Sequence, residues 1–179
     1  VASSVFAQTT VPLNDLSAFT NKANNWSIAG DVTVDISKVN ALESKPGKGV
    51  LVCIHEKGKY GNEYELVSNF THGDLDLELD FMLTKESNSG IYLQGNYEVQ
   101  LFDSWGKKTA KYNDNGGIYE RWNDAKPEGE KVYEGYAPRF NVAKAPGLWQ
   151  NIKMSYQAPR FDAAGKKIAN AVFLKIVLN

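Results

Sequence analysis

Two short runs place chemically capable side chains at alternate positions. In Ile91-Tyr92-Leu93-Gln94, Ile91 and Leu93 share one parity and Tyr92 and Gln94 the other. In Glu98-Val99-Gln100-Leu101-Phe102, Val99 and Leu101 share one parity and Glu98, Gln100 and Phe102 the other. Successive strand residues point to opposite faces, so a core that takes the aliphatic set leaves a phenol, two amides, a carboxylate and a ring outside. Rings stack on sugar faces and amides exchange hydrogen bonds with hydroxyls, which suits a polyhydroxylated ligand. An ordinary half-exposed antiparallel sheet carries the same alternation, and this stretch by itself is compatible with both.

The elements that must position these groups are readable around them. Asn88, Ser89 and Gly90 supply turn chemistry, and Gly95-Asn96 reads as a two-residue hairpin connection between the two strands. Upstream, Asp74-Leu-Asp-Leu-Glu-Leu-Asp-Phe81 alternates without a break. Leu75, Leu77, Leu79 and Phe81 should face inward, with Asp74, Asp76, Glu78 and Asp80 on the other side. Such a carboxylate row repels itself and needs cationic, donor or solvent neighbours. Asp76 and Asp80 could supply a second carboxylate or bind a cation; a solvated face paired with lysines is the plainer reading.

Composition narrows the function classes. The 179 residues suit one domain able to bury a core. Twenty Lys and Arg against 21 Asp and Glu leave a formal charge of −1, so no basic excess is available for nucleic acid. Four Trp, nine Tyr and eight Phe fit β structure and carbohydrate contact alike. The single cysteine, Cys53, lies between Val52 and Ile54 and reads as a buried strand thiol. No apolar run approaches a membrane span of about 20 residues. Val1 to Gln8 resembles the tail of a secretory signal, with small residues before a cut at Gln8. Residues 1–12 are therefore expected to be leader, residues 13–179 a single domain, and the protein exported, to a periplasm or the medium.

Along the rest of the chain, Leu13 to Ala23 suggests a short helix or a cap, and Asn25 to Asp31 a strand entering a turn before Val32 to Ile36. Lys45 to Gly49 reads as a loop, Val50 to His55 as a strand, and Tyr64 to Val67 as the start of another. Gly116 to Tyr119 is a short strand, and Arg121 to Gly147 a long loop of the kind that is usually functional or mobile. Trp149 to Tyr156 alternates with Ile152, Met154 and Tyr156 on one face. The last strand, Ala169 to Asn179, puts Val172, Leu174, Ile176 and Leu178 on one face. A strand buried on both sides is a poor place to stop, so the chain is expected to be a fragment. Many short strands punctuated by turns predict an all-β antiparallel sandwich.

Asn88-Ser-Gly-Ile-Tyr-Leu-Gln-Gly95, Tyr97-Glu-Val-Gln-Leu-Phe-Asp-Ser104, Gly117-Ile-Tyr119, Pro146-Gly-Leu-Trp149 and Ala158-Pro-Arg-Phe-Asp162 together resemble the 3-keto-disaccharide hydrolase domain family. The likeness spans nearly all of Leu13 to Asn179. It implies a jelly-roll sandwich of the concanavalin A-like lectin/glucanase type, with a ligand site on its concave sheet, in bacterial and often exported proteins acting on oxidised sugars. Family members often carry Arg where this chain has Met82 and Gln94, so fixed positive charge is missing from the implied site.

A ketone at C3 of a glycoside acidifies the C2 proton; a base removes it, the aglycone leaves C1, and water adds back. This route needs one general base, donors for the enolate oxygen and an acid near the leaving group. Glu98 is the candidate base, with lysine pairing as its plainer role. Gln94 and Gln100 would orient hydroxyls or support the enolate, with Tyr92 beside them. Tyr119 is a candidate acid or donor, and Phe102 and Trp105 are candidate stacking platforms. An ordinary glycosidase would instead need a pair such as Glu98 and Asp80 at a defined separation, and a carbohydrate-binding module would need no chemistry at all. His55 and His72 form no metal motif, although a divalent cation held by His72, Asp80 and Glu98 would compensate for the missing arginines.

Overall fold

The structure is a computed structural model describing residues 8–55, 58–59 and 61–179. Val1 to Ala7, the bulk of the sequence read as a leader, lie outside the described residues. The strands are β1 (Phe19–Asn21), β2 (Trp26–Val34), β3 (Leu42–Cys53), β4 (Leu66–Ser68), β5 (Leu75–Phe81), β6 (Asn88–Leu93) and β7 (Tyr97–Phe102). They continue with β8 (Arg121–Trp122), β9 (Val132–Tyr133), β10 (Gln150–Gln157), β11 (Arg160–Phe161), β12 (Lys167–Ala169) and β13 (Val172–Leu178). The fold is all-β and antiparallel, as expected. Among the described residues no helix is long and apolar enough to cross a membrane.

Two compact units are present, Val1–Thr33 with Glu43–Thr71, and Val34–Leu42 with His72–Asn179. In the first, β2 pairs with β3 and β1 with β4. Four sequence expectations change here. The stretch around Leu16 and Phe19 is a turn leading into β1, not a helix, because β1 finds a partner in β4. Gly30 is not a turn and Lys45–Gly49 is not a loop: both lie inside long strands. A Cβ at Gly30 would sit 2.9 Å from Gly47 Cα, and one at Gly47 would sit 2.6 Å from Gly30 Cα, so the two glycines mark a close approach of backbones. Cys53 is exposed, one residue past buried Val52, because β3 ends there.

In the second unit the sheet β13-β10-β5 packs on the β6-β7 hairpin. Ile152, Met154 and Tyr156 of β10 are almost wholly buried, as their alternation predicts, and meet Leu93, Val99 and Leu101 from the hairpin. Leu75, Leu77 and Leu79 of β5 complete the layer. The acidic face of β5 points the other way and is answered in register by β10. Asp80 accepts from Asn151 (2.8 Å), Glu78 pairs with Lys153 (2.8 Å) and Asp76 accepts from Ser155. Asp74 takes two bonds from Arg160, at 2.7 and 2.6 Å, plus one from the Ala158 amide at 2.9 Å. Arg160 foremost, then the Ala158 amide, holds the Asp74 carboxyl down at about 2.

β13 departs from simple alternation. Ser155 faces Lys175 while Tyr156 faces Phe173, so Leu174 is an extra residue in a bulge. The bulge switches the parity: Phe173, Ile176 and Leu178 pack on the core, and Leu174 is 65% exposed.

Two outcomes follow for this unit. Ile152→Ala, at a fully buried site, should cost about 2–5 kcal/mol in urea unfolding, whereas Leu174→Ala should stay within about 0.5 kcal/mol. Equal losses would refute the bulged register. A depressed carboxylate stabilises the fold above its unfolded pKa, and the contribution disappears as pH falls through the folded value. Asp74 should therefore titrate near 2 by carboxyl NMR and rise in Arg160→Ala, staying below the ordinary aspartate range because the Ala158 amide still donates to it.

Candidate functional site

β7 is paired along both edges. β6 matches Tyr92 with Glu98 and Gly90 with Gln100 on one side. On the other, the segment 116–119 bonds to it: Gln100 N–H to the Gly117 carbonyl and Gly116 N–H to the Gln100 carbonyl, both 2.8 Å, and Tyr119 N–H to the Glu98 carbonyl, 3.0 Å. Val99 faces Ile118 across this pairing, which sets Glu98 opposite Tyr119. Residues opposite one another in an antiparallel ladder share a face. Tyr92, Glu98 and Tyr119 thus form one row across three neighbouring segments, on the side of the hairpin away from the core.

The row is joined by bonds. The Tyr92 hydroxyl donates to Glu98 Oε2 at 2.6 Å, and Tyr92 itself is half exposed. Gln100 lies 3.2 Å from Glu98 Oε1. With its amide nitrogen toward the carboxylate it donates there and to the Ser89 carbonyl, also 3.2 Å; with the amide reversed it donates to Asn88 Oδ1 at 2.8 Å. Burial, then the charges of Glu120 and Glu98, push the Tyr119 phenol above the ordinary tyrosine range, so it keeps its proton at neutral pH. Beside it, Tyr112 makes an edge-on ring contact at 5.6 Å, and its own phenol is raised chiefly by bonding to Glu120. The arrangement offers a carboxylate that can accept a proton, with one phenol bonded to it and a protonated phenol on its other side.

The sequence-derived candidates separate into groups. Glu98, Tyr92 and Tyr119 come together. Gln100 joins them from below and not from the surface: it is 2% exposed, because the segment 116–119 covers the free edge of β7. Phe102 continues the same face, with the Lys107 ammonium 4.8 Å from its ring centroid. Trp105 stands 56% exposed in the turn after β7. Gln94 points elsewhere. The hairpin loop has three residues, Gln94 to Asn96, between paired Leu93 and Tyr97, and Gln94 adopts φ 53° there. Its side chain accepts from the Tyr156 hydroxyl (3.1 Å) and reaches the His72 carbonyl (3.4 Å). Asp76 and Asp80 lie on the outer face of the other sheet, engaged by Ser155 and Asn151, with the core between them and Glu98. Among the described residues no three His, Cys, Asp or Glu side chains gather as metal ligands, so His72, Asp80 and Glu98 do not converge.

Lys107 is a residue the sequence reading passed over. Its ammonium pairs with buried Asp114 at 2.5 Å while lying over Phe102, and so brings a cation to the Asn88–Phe102 end of the hairpin. Its only signal was a lysine pair inside a polar loop. The backbone of this loop is fixed by Asn141, whose amide donates to the Ser104 and Lys107 carbonyls at 2.6 and 2.9 Å.

The chain has relatives in sequence and fold. A crystal structure from Parabacteroides distasonis, described as that of a candidate glycosyl hydrolase, superposes with a TM-score of 0.51 at 21% identity, covering 99% of this chain and 73% of that one. Likeness at that identity establishes the fold. No curated protein matches the chain. The sequence profile of the 3-keto-alpha-glucoside-1,2-lyase-like domain matches residues 11–179. The match takes in the Tyr92–Glu98–Tyr119 row and both units, and the chain belongs to that family.

Proposed function

We propose that the protein cleaves 3-keto-glycosides by elimination across C1 and C2. Glu98 takes the C2 proton, and the electron pair moves into an enolate delocalised onto the C3 oxygen. The C1–O bond then breaks, and the aglycone oxygen leaves with a proton from Tyr119 or water. Hydration of the resulting enone would complete a net hydrolysis. The observation that carries this reading is the row itself: one carboxylate between two phenols, one of them bonded to it at 2.6 Å. Family membership supports a carbohydrate substrate. Asp80, the partner a two-carboxylate glycosidase would need, sits across the core, which counts against that alternative. A binding module without chemistry is favoured by one observation, the absence of arginine at Met82 and Gln94, the latter being tied to Tyr156. Export rests on the sequence of Val1 to Gln8 and on the family resemblance, and is checked by cell fractionation of the native protein.

The protein should be incubated with a 3-keto-disaccharide and with its unoxidised parent. Turnover of the keto sugar alone is the expected result; cleavage of the parent would replace the proposal with an ordinary glycosidase, and binding without turnover would leave a binding module. Glu98→Gln should lower kcat by at least about 100-fold, the usual scale for loss of a general base, with binding retained. Tyr119→Phe should lower kcat by about tenfold or more and remove any alkaline limb. In the parent that limb belongs above the ordinary tyrosine range, because the raised phenol keeps its proton until then. An unchanged profile in Tyr119→Phe would exclude the phenol as acid.

A further inference from the structure

Gly90 lies inside β6 with no positive φ to require glycine. A glycine in a strand interior weakens it and often marks a place where another group comes close. Here that group is the Glu98 side chain. A Cβ at position 90 would lie 2.7 Å from Glu98 Cγ and 2.8 Å from Cδ, and closer still to Oε1. Glu98 starts from the row of Tyr92 and folds over onto the next row, where Gly90 faces Gln100. Its carboxylate occupies the space a side chain at 90 would fill, within reach of Gln100 and the Tyr92 hydroxyl at once.

We infer that Gly90 is a positioning residue: its missing side chain sets the depth at which Glu98 rests on the sheet. The inference rests on Glu98 being the base. The contact differs in kind from that at Gly117, where an added Cβ would meet backbone, 2.8 Å from the Tyr112 carbonyl carbon and 3.0 Å from the Asp114 oxygen. Backbone cannot yield cheaply, but the end of a glutamate can rotate away. Gly90→Ala should therefore fold, gain slightly in strand propensity, and expel the carboxylate from its seat, breaking the Tyr92 bond.

The test compares Gly90→Ala, Glu98→Gln and the double variant Gly90→Ala/Glu98→Asp on a 3-keto-disaccharide, with urea unfolding of each. The expected result for Gly90→Ala is unfolding at or above the parent's midpoint, KM changed less than threefold, and kcat down at least tenfold. Aspartate keeps a Cγ where the added methyl meets Glu98 at 2.7 Å, so the double variant should recover no kcat relative to Gly90→Ala alone. A crystal structure of Gly90→Ala should show the Glu98 carboxylate out of contact with Tyr92. Full activity in Gly90→Ala alongside an inactive Glu98→Gln would overturn the positioning role and leave the base intact. Full activity in Glu98→Gln would instead remove the base, and the carboxylate position in the crystal structure would then decide the seat alone.

Discussion

The site depends on the double-edged pairing of β7. Val99 and Leu101 could be buried by the opposing sheet alone, but Gln100 is buried because 116–119 closes the free edge and brings its own residues over the outer face. A strand with an open edge would leave Glu98 beside a single neighbour and exposed to water on the other side. Closing it places Tyr119 opposite the carboxylate and raises the phenol by burial first and by charge second. Pairing, burial and proton affinity are thus consequences of three backbone hydrogen bonds.

Around that strand the polar groups are held by bonds that resist motion. Ser104, Asp114, Asn115 and Gln150 are nearly inaccessible, and Gln150 Oε1 accepts from Asn115 (3.0 Å) and the Lys144 amide (3.0 Å). Among the described residues Asn115 Oδ1 and Gln150 Nε2 are buried without a hydrogen-bond partner, so this network is satisfied only in part. The loop that carries Lys107 and Trp105 is long in sequence yet fixed at its base. The acidic face of β5 works differently. Its pairs are exposed and screened, so their effect is to favour one register and not to add much stability.

Strands whose residues alternate cleanly were legible in the sequence. β5, β7 and β10 show their inward residues directly, because burial on one face selects aliphatic side chains at period two. The unread features are those where a distant partner overrides local pattern. Leu174 looks like a core residue until the bulge opposite Ser155 and Tyr156 turns it outward. Gln94 looks like a strand residue until the loop takes it at positive φ and Tyr156 claims its amide. Asp76 and Asp80 share the right parity for an outer face, but parity does not say which sheet that face belongs to. Lys107 gave no periodic signal, since its place is fixed by a buried aspartate seven residues on. The row of Tyr92, Glu98 and Tyr119 was half visible: the hairpin joined the first two, and only non-local pairing could bring in the third.

Gly30 and Gly47 show how such non-local constraints bear on inheritance. Each would drive a methyl into the other's backbone, so the two positions behave as one unit split across two strands. A compensating second change cannot rescue a first, since adding bulk to the partner worsens the collision. Drift at either position is blocked by the other, and lineages of this domain should keep both glycines or abandon that strand crossing altogether.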